Sequence, residues 1–128
     1  MQFTIYTDGA SSGNPGPAGG AYLFVAENKI IHEHALRYKN MTNNQAEYTT
    51  MLKALEDAST RGMKDVICVS DSQLMVRQLN GKYAVKSDNL KPLFDKIKSL
   101  LVKFDNISFE HVKRENDFIK RVDWLAKH

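Results

Sequence analysis

Hydrophobic and polar residues alternate along the first forty residues, which is the pattern of β-strands. In the first segment, residues 2–7, Ile5 and Thr7 fall on one face and Tyr6 on the other. Two further extended segments follow at 21–25 and 30–38, separated by a short polar turn. The chain is therefore predicted to begin with three antiparallel strands.

The periodicity of the remaining chain changes to that of amphipathic helices. Apolar residues at helical spacing predict helices at 44–61, 72–79, 89–104 and 118–126. A short apolar segment at 65–70 predicts a buried strand, and 107–112 predicts a fifth strand. The resulting order, β-β-β-α-β-α-α-β-α, favours an α/β fold in which one five-stranded mixed sheet is flanked by helices.

Several residues are typical of helix ends and buried faces. Gly62 predicts the end of the first helix, and Ser87 or Asp88 is expected to cap the third. Phe118, Val122 and Leu125 fall on one stripe of the last helix, which predicts its buried face.

One stretch, YTDGASSGNPGPAGG from Tyr6 to Gly20, fits neither periodicity. Its glycines, prolines and serines predict a turn region that extends to Gly16. Asp8 is then the last residue of the first strand, among apolar neighbours. The composition of a loop does not explain a carboxylate in that position, followed by so much small-residue backbone.

Four carboxylates occupy notable positions. Asp8 and Asp71 end predicted strands, Glu47 falls in the first turn of the first long helix, and Asp123 lies in the last helix. Sites in α/β sheets gather beyond strand ends, and neighbouring strands would bring Asp8 and Asp71 together. Clustered carboxylates repel one another and need cations, and hard oxygen ligands select Mg²⁺ or Mn²⁺. Taken singly, each acid also has a structural interpretation as a cap or a solvated helix face.

Four segments together resemble the type 1 ribonuclease H family: YTDGASSGNPGPAGG, TNNQAEY, SDSQLMV and VDWLA. Their order agrees with the family, and the strand and helix order matches along almost the whole chain. The resemblance implies a ribonuclease H-like fold. It also implies an endonuclease that hydrolyses the RNA strand of RNA–DNA hybrids with two metal ions, leaving 5′-phosphate and 3′-hydroxyl ends.

The resemblance also assigns roles to residues that match the family's motifs. It implies two Mg²⁺ ions, with Mn²⁺ as a substitute, held by Asp8, Glu47, Asp71 and Asp123. Asp8 and Asp71 would be the central ligands, with Glu47 on the leaving-group side and Asp123 on the water side. Substrate contacts are implied for eight residues: Gly9, Ala10, Ser11, Asn14, Thr42, Asn43, Asn44 and Gln73.

The chain departs from the family in three places, one of which is Ile119, where the family often has an asparagine one turn before the last aspartate. Many members carry a basic, tryptophan-rich helix and loop where only NGKYAVKSDNL stands here, so the chain resembles the short forms that lack this protrusion. Many members also place a histidine in the loop before the last helix. That loop reads KREND here, so the role stays unassigned, with Glu115 as one candidate.

The composition limits the classes of protein to which the chain can belong. The 128 residues suit one domain, 1–128, and their net charge of +3 permits a nucleic-acid partner without requiring one. A single cysteine and an N-terminus without a signal pattern favour the cytoplasm, and we expect a monomer. Two alternatives stay open: a broader nuclease that also cuts double-stranded RNA, and a non-catalytic module that binds hybrids.

Overall fold

A five-stranded mixed sheet forms the centre of the computed structural model, which describes residues 1–128. Its strands are β1 (Gln2–Ser11), β2 (Gly16–Ala26), β3 (Lys29–Met41), β4 (Asp65–Ser70) and β5 (Asn106–His111). The first three pair antiparallel, whereas β4 runs parallel to both β1 and β5, and the order across the sheet is β3-β2-β1-β4-β5. The predicted mixed sheet is confirmed.

The helices cover the two faces of this sheet. They are α1 (Asn43–Thr60), α2 (Gln73–Leu79), α3 (Lys91–Leu100) and α4 (Asp117–Lys127), with a 3₁₀ turn at Leu101–Lys103. The larger hydrophobic cluster packs α1, α2 and α3 against one face, and a smaller cluster packs α4 against the other. None of the helices combines the length and the apolar character that crossing a membrane requires.

The glycine-rich stretch is mostly strand, so its prediction as a turn region was wrong. β1 continues past Asp8 to Ser11 and pairs there with β2, which begins at Gly16. Only the residues between these two strands form the turn. The ladder of hydrogen bonds between β1 and β2 therefore outweighs the weak strand preference of small residues.

Two helix predictions also need correction. The helix α3 begins after Leu90 without a side-chain cap, because the Ser87 hydroxyl accepts instead from the Asn89 amide, 3.2 Å away. The buried stripe of α4 consists of Ile119, Val122 and Ala126, so only Val122 of the predicted stripe is buried. The glycine predicted to end α1, Gly62, does so at a positive φ of 78°.

The start of α1 brings the helix directly against β1. A capping box joins Thr42 and Gln45, so the helix begins at Asn43 and Glu47 lies beyond its first turn. At the nearest approach, a Cβ on Gly9 would lie 2.6 Å from the backbone carbonyl of Ala46 and 2.7 Å from the amide of Glu47. Only a glycine at this position lets the helix lie so close to the strand.

We expect Gly9→Ala to lower the free energy of unfolding by about 1–3 kcal/mol, because the added methyl group meets backbone that cannot move aside. Urea denaturation measures this change. In the comparison variant Gly62→Ala the methyl meets no atom within 4 Å, so its cost is confined to the positive φ, roughly 1 kcal/mol. A denaturation midpoint for Gly9→Ala equal to that of the unmodified chain would contradict the close packing of β1 and α1.

Candidate active site

Two of the predicted acids meet at one edge of the sheet, where β1 and β4 stop pairing. The last paired residues are Tyr6 and Val69, so Asp8 and Asp71 both lie just beyond this point. The Ser70 hydroxyl accepts from the Ser72 amide at 3.0 Å, and this short turn presents Asp71 at the edge. Asp8 itself lies inside β1 and not at its end, which corrects the prediction.

Glu47 reaches the same edge from the helix α1. Its Oε1 accepts a hydrogen bond from the Gly9 amide at 2.7 Å. This contact depends on the close approach of α1 to β1, which Gly9 permits. Glu47 is thereby turned toward the sheet and away from solvent, with only 6% of its surface exposed.

The three carboxylates of Asp8, Glu47 and Asp71 form one compact group. Each offers an oxygen, and these oxygens all lie within 4.8 Å of one another. Asp8 is 5% exposed, so the group is mostly withdrawn from water. The arrangement brings together three of the four acids predicted from the sequence.

The fourth acid, Asp123, approaches from the opposite face of the sheet on α4. Its carboxylate is a hydrogen-bonding neighbour of Asp8, but it stands outside the compact group of three. Its other partner is Lys127, whose Nζ lies 3.0 Å from Asp123 Oδ1. The structure therefore places Asp123 beside Asp8, with a positive charge on its outer side.

Burial and mutual repulsion change the proton affinities of this group. Burial, a hydrogen bond with Asp123 and the charge of Asp71 raise the pKa of Asp8 to about 8. Burial, followed by repulsion from Asp8 and Asp71, raises the pKa of Glu47 well above its usual value. Burial also opposes ionisation of Asp123, but hydrogen bonds with Asp8 and Lys127 outweigh it and lower the pKa. The negative charge is thus poorly compensated within the chain.

Arg114 is a site residue that the sequence reasoning missed. It lies in the KREND loop, and its Nε donates to Asp71 Oδ2 at 3.2 Å. Its side chain is 76% exposed, whereas that of Asp71 is 11% exposed. The loop joins β5 to α4 beside the three acids, so a long cationic side chain in it is able to reach them.

Several predicted substrate-binding residues form a network beside the acids. The Ser11 amide donates to Asn43 Oδ1 at 3.1 Å, and the Asn43 amide donates to Asn14 Oδ1 at 3.0 Å. These contacts tie the turn between β1 and β2 to the start of α1. The Gly9 amide is already used by Glu47, so it is not free for a ligand.

The remaining predicted contact residues lie around the same edge. Thr42 uses its side chain to cap α1. Asn44 and Gln73 are exposed near the first residues of α1 and α2, and Ala10 is half-buried in β1. The exposed polar residues therefore lie on elements that adjoin the largely buried acids.

Comparison with known proteins identifies relatives over nearly the whole chain. A family described as reverse transcriptase-like matches residues 6–128. A ribonuclease HI from Halobacterium salinarum is 38% identical over 94% of the chain, and a ribonuclease H from Prosthecochloris aestuarii is 34% identical over 96% of the chain and 91% of its own length. The chain spans 60% of the halobacterial relative and 32% of three mycobacterial relatives.

Solved structures agree with these matches. The crystal structure of RNase H1 from Halobacterium salinarum is 37% identical, has a TM-score of 0.93 and covers 99% of this chain and 96% of its own. The structure of LC11-RNase H1 in complex with an RNA/DNA hybrid is 38% identical, has a TM-score of 0.90 and covers 98% of this chain and 94% of its own. The observed sheet and helices thus have the architecture of these enzymes.

The raised pKa of Asp8 predicts how the metal-free protein responds to pH. In the unfolded chain Asp8 ionises near pH 4, but in the folded chain it keeps its proton to about pH 8. The stability from this group is present below pH 4 and is lost as the pH rises toward 8. We expect Asp8→Asn to raise the free energy of unfolding at pH 8 by more than about 1.4 kcal/mol, the value that corresponds to a tenfold change in proton affinity.

Urea denaturation at pH 3.5 and pH 8, with a chelator present, measures this difference. The gain should be small at pH 3.5, where Asp8 is protonated in both states. If the variant is less stable than the unmodified chain at pH 8, the conclusion that ionised Asp8 destabilises the folded chain is wrong.

Proposed function

The chain belongs to the ribonuclease H family, and from this premise we propose that it is a metal-dependent endonuclease that hydrolyses the RNA strand of RNA–DNA hybrids. The observation that carries the proposal is the convergence of three carboxylates within 4.8 Å at one sheet edge. A hybrid is the ligand of the related LC11-RNase H1 in its solved complex. The products would carry 5′-phosphate and 3′-hydroxyl ends.

The donor set fits a divalent cation. It consists only of carboxylate oxygens, which suit Mg²⁺ and Mn²⁺. Burial and the neighbouring acids raise the pKa of Asp8, and a cation would favour its ionised form. Asp8, Glu47 and Asp71 would hold the metal, with Asp123 completing the set from α4. Two bound Mg²⁺ ions would supply an activated water and stabilise the leaving oxygen.

The chain's own residues fix the geometry of these ligands before a metal binds. The Gly9 amide holds Glu47, and the Ser70 hydroxyl shapes the turn that presents Asp71. Arg114 contacts Asp71 with one of its five N–H groups, and most of its side chain faces solvent. We therefore assign to Arg114 a contact with a phosphate oxygen of the RNA strand next to the scissile bond.

Recognition of the hybrid would depend on its shape and its sugars. The 2′-hydroxyl is the group that separates RNA from DNA at a given position. Exposed amides suit such a contact because they both donate and accept, as Asn44 in α1 and Gln73 in α2 can do. Asn14 and Asn43 hold the turn between β1 and β2 against the start of α1. Backbone groups of Ala10 and Ser11 would contact the ribose hydroxyls.

The segment between α2 and α3 contains no helix that could serve as a basic protrusion. Its aromatic residue, Tyr83, is occupied locally, since Arg77 lies over its ring and donates to its hydroxyl at 2.6 Å. We therefore propose that residues 1–128 act as a short form without the protrusion; that they form one domain and act as a monomer are further parts of the proposal. The hybrid contacts of this short form would then come mainly from the edge that carries the acids.

We expect the purified protein with Mg²⁺ to cleave the RNA strand of a labelled hybrid and to leave a DNA duplex intact. Asp71→Asn should reduce cleavage by more than about a hundredfold, because it removes a charge needed most in the transition state. Hybrid binding, measured by fluorescence anisotropy, should persist in this variant. Asp95→Asn, which alters an exposed ion pair on α3, is the matched control.

Cleavage by Asp71→Asn at the rate of the unmodified chain would contradict the site. Binding without cleavage by the unmodified chain would favour a non-catalytic module. A double-stranded RNA substrate in the same assay tests the broader nuclease, since its A-form geometry resembles that of a hybrid.

A further inference from the structure

A bidentate ion pair attaches the helix α4 to the edge strand β3. Arg121 donates from Nε to Glu33 Oε2 at 2.6 Å and from Nη2 to Glu33 Oε1 at 2.9 Å. This geometry is bidentate, so it restricts direction as well as distance. It joins residues 88 positions apart in the chain.

A second contact holds the end of the same helix. Arg37, also on β3, donates from Nη1 to the carbonyl oxygen of Ala126 at 3.1 Å. A Cβ on Gly19 of β2 would lie only 2.3 Å from that oxygen, so the helix end rests directly on the sheet backbone. The carbonyl end of a helix attracts cations, which makes an arginine suitable here.

The contact with Glu33 lies on the side of α4 opposite to Asp123. Each residue of an α-helix advances about 100° around the axis, so Arg121 and Asp123 point in nearly opposite directions. Arg121 is held toward β3, and Asp123 is turned toward Asp8 on β1, with β2 between the two strands. The ion pair therefore holds α4 on the side that faces away from the acids.

Asp123 reaches the site only through the placement of α4, because it stands outside the compact group of three and belongs to a helix on the opposite face of the sheet. A rotation of α4 about its axis would withdraw Asp123 from Asp8. We propose that Glu33 and Arg37 are positioning residues that hold α4 in the rotation at which Asp123 joins the metal site. The inference rests on the proposed function only in taking the four acids as that site.

Loss of these contacts should change the affinity for Mg²⁺ more than it changes the free energy of unfolding. Arg121 and Glu33 are both partly exposed, and such ion pairs contribute little to the free energy of unfolding. Loss of a group that is hydrogen-bonded directly to a metal ligand weakens metal affinity by about tenfold or more, and Glu33 acts one step further out, through Arg121 and α4. We expect Glu33→Gln to raise the Mg²⁺ dissociation constant by about threefold to tenfold, at the lower end because the helix also packs on the sheet.

Isothermal titration calorimetry with Mg²⁺ alone measures this without any substrate. The matched control is Glu56→Gln, which makes the same change in an exposed ion pair on α1 and should leave Mg²⁺ affinity unchanged. The charge-swapped variant Glu33→Arg/Arg121→Glu should recover most of the affinity that either single change loses. Arg37→Met should weaken Mg²⁺ binding, whereas Arg37→Lys, which keeps a donor for Ala126, should retain more of it.

The Mg²⁺ concentration for half-maximal hybrid cleavage should rise in the same variants. Unchanged Mg²⁺ affinity in Glu33→Gln and Arg37→Met would overturn the proposal, as would a charge-swapped variant no better than its parents. If Glu33→Gln fails to fold, the comparison of the two Arg37 variants decides. Absence of cleavage by the unmodified chain would instead count against the proposed function, because the calorimetry tests the positioning independently.

Discussion

The other parts of the molecule depend on one constraint: carboxylates that repel one another are held together away from water. Asp8, Glu47 and Asp71 place oxygens within 4.8 Å of one another at a largely buried sheet edge. Such a cluster is unfavourable for an isolated chain, and the raised pKa of Asp8 expresses that cost. A fold keeps a cluster of this kind only where the packing around it supplies the opposing free energy.

That packing comes from both faces of the sheet. On one face, α1 lies against β1 at Gly9, whose amide also orients Glu47. On the other face, α4 brings Asp123 beside Asp8 and is anchored to the distant strand β3 through Arg121. The edge where β1 and β4 diverge is therefore enclosed by two helices that belong to different hydrophobic clusters.

Much of this architecture could be predicted from the sequence, because periodicity reports which residues face a core. The meeting of Asp8 and Asp71 followed from two adjacent parallel strands. Contacts between distant side chains carry no such local signal. Arg114 beside Asp71 was therefore missed, and the extension of β1 to Ser11 was hidden because pairing with β2 outweighs local composition.

The central claim is that a divalent cation relieves the repulsion among these acids. Thermal unfolding at pH 8 in increasing Mg²⁺, with ionic strength held constant by NaCl, tests it most directly. The free energy of unfolding should rise with the logarithm of the Mg²⁺ concentration above the dissociation constant, and the rise should reach about 2.7 kcal/mol at one hundred times that constant. The same titration of Asp8→Asn should give a much smaller rise. A stability of the unmodified chain that does not change with Mg²⁺ would contradict the account.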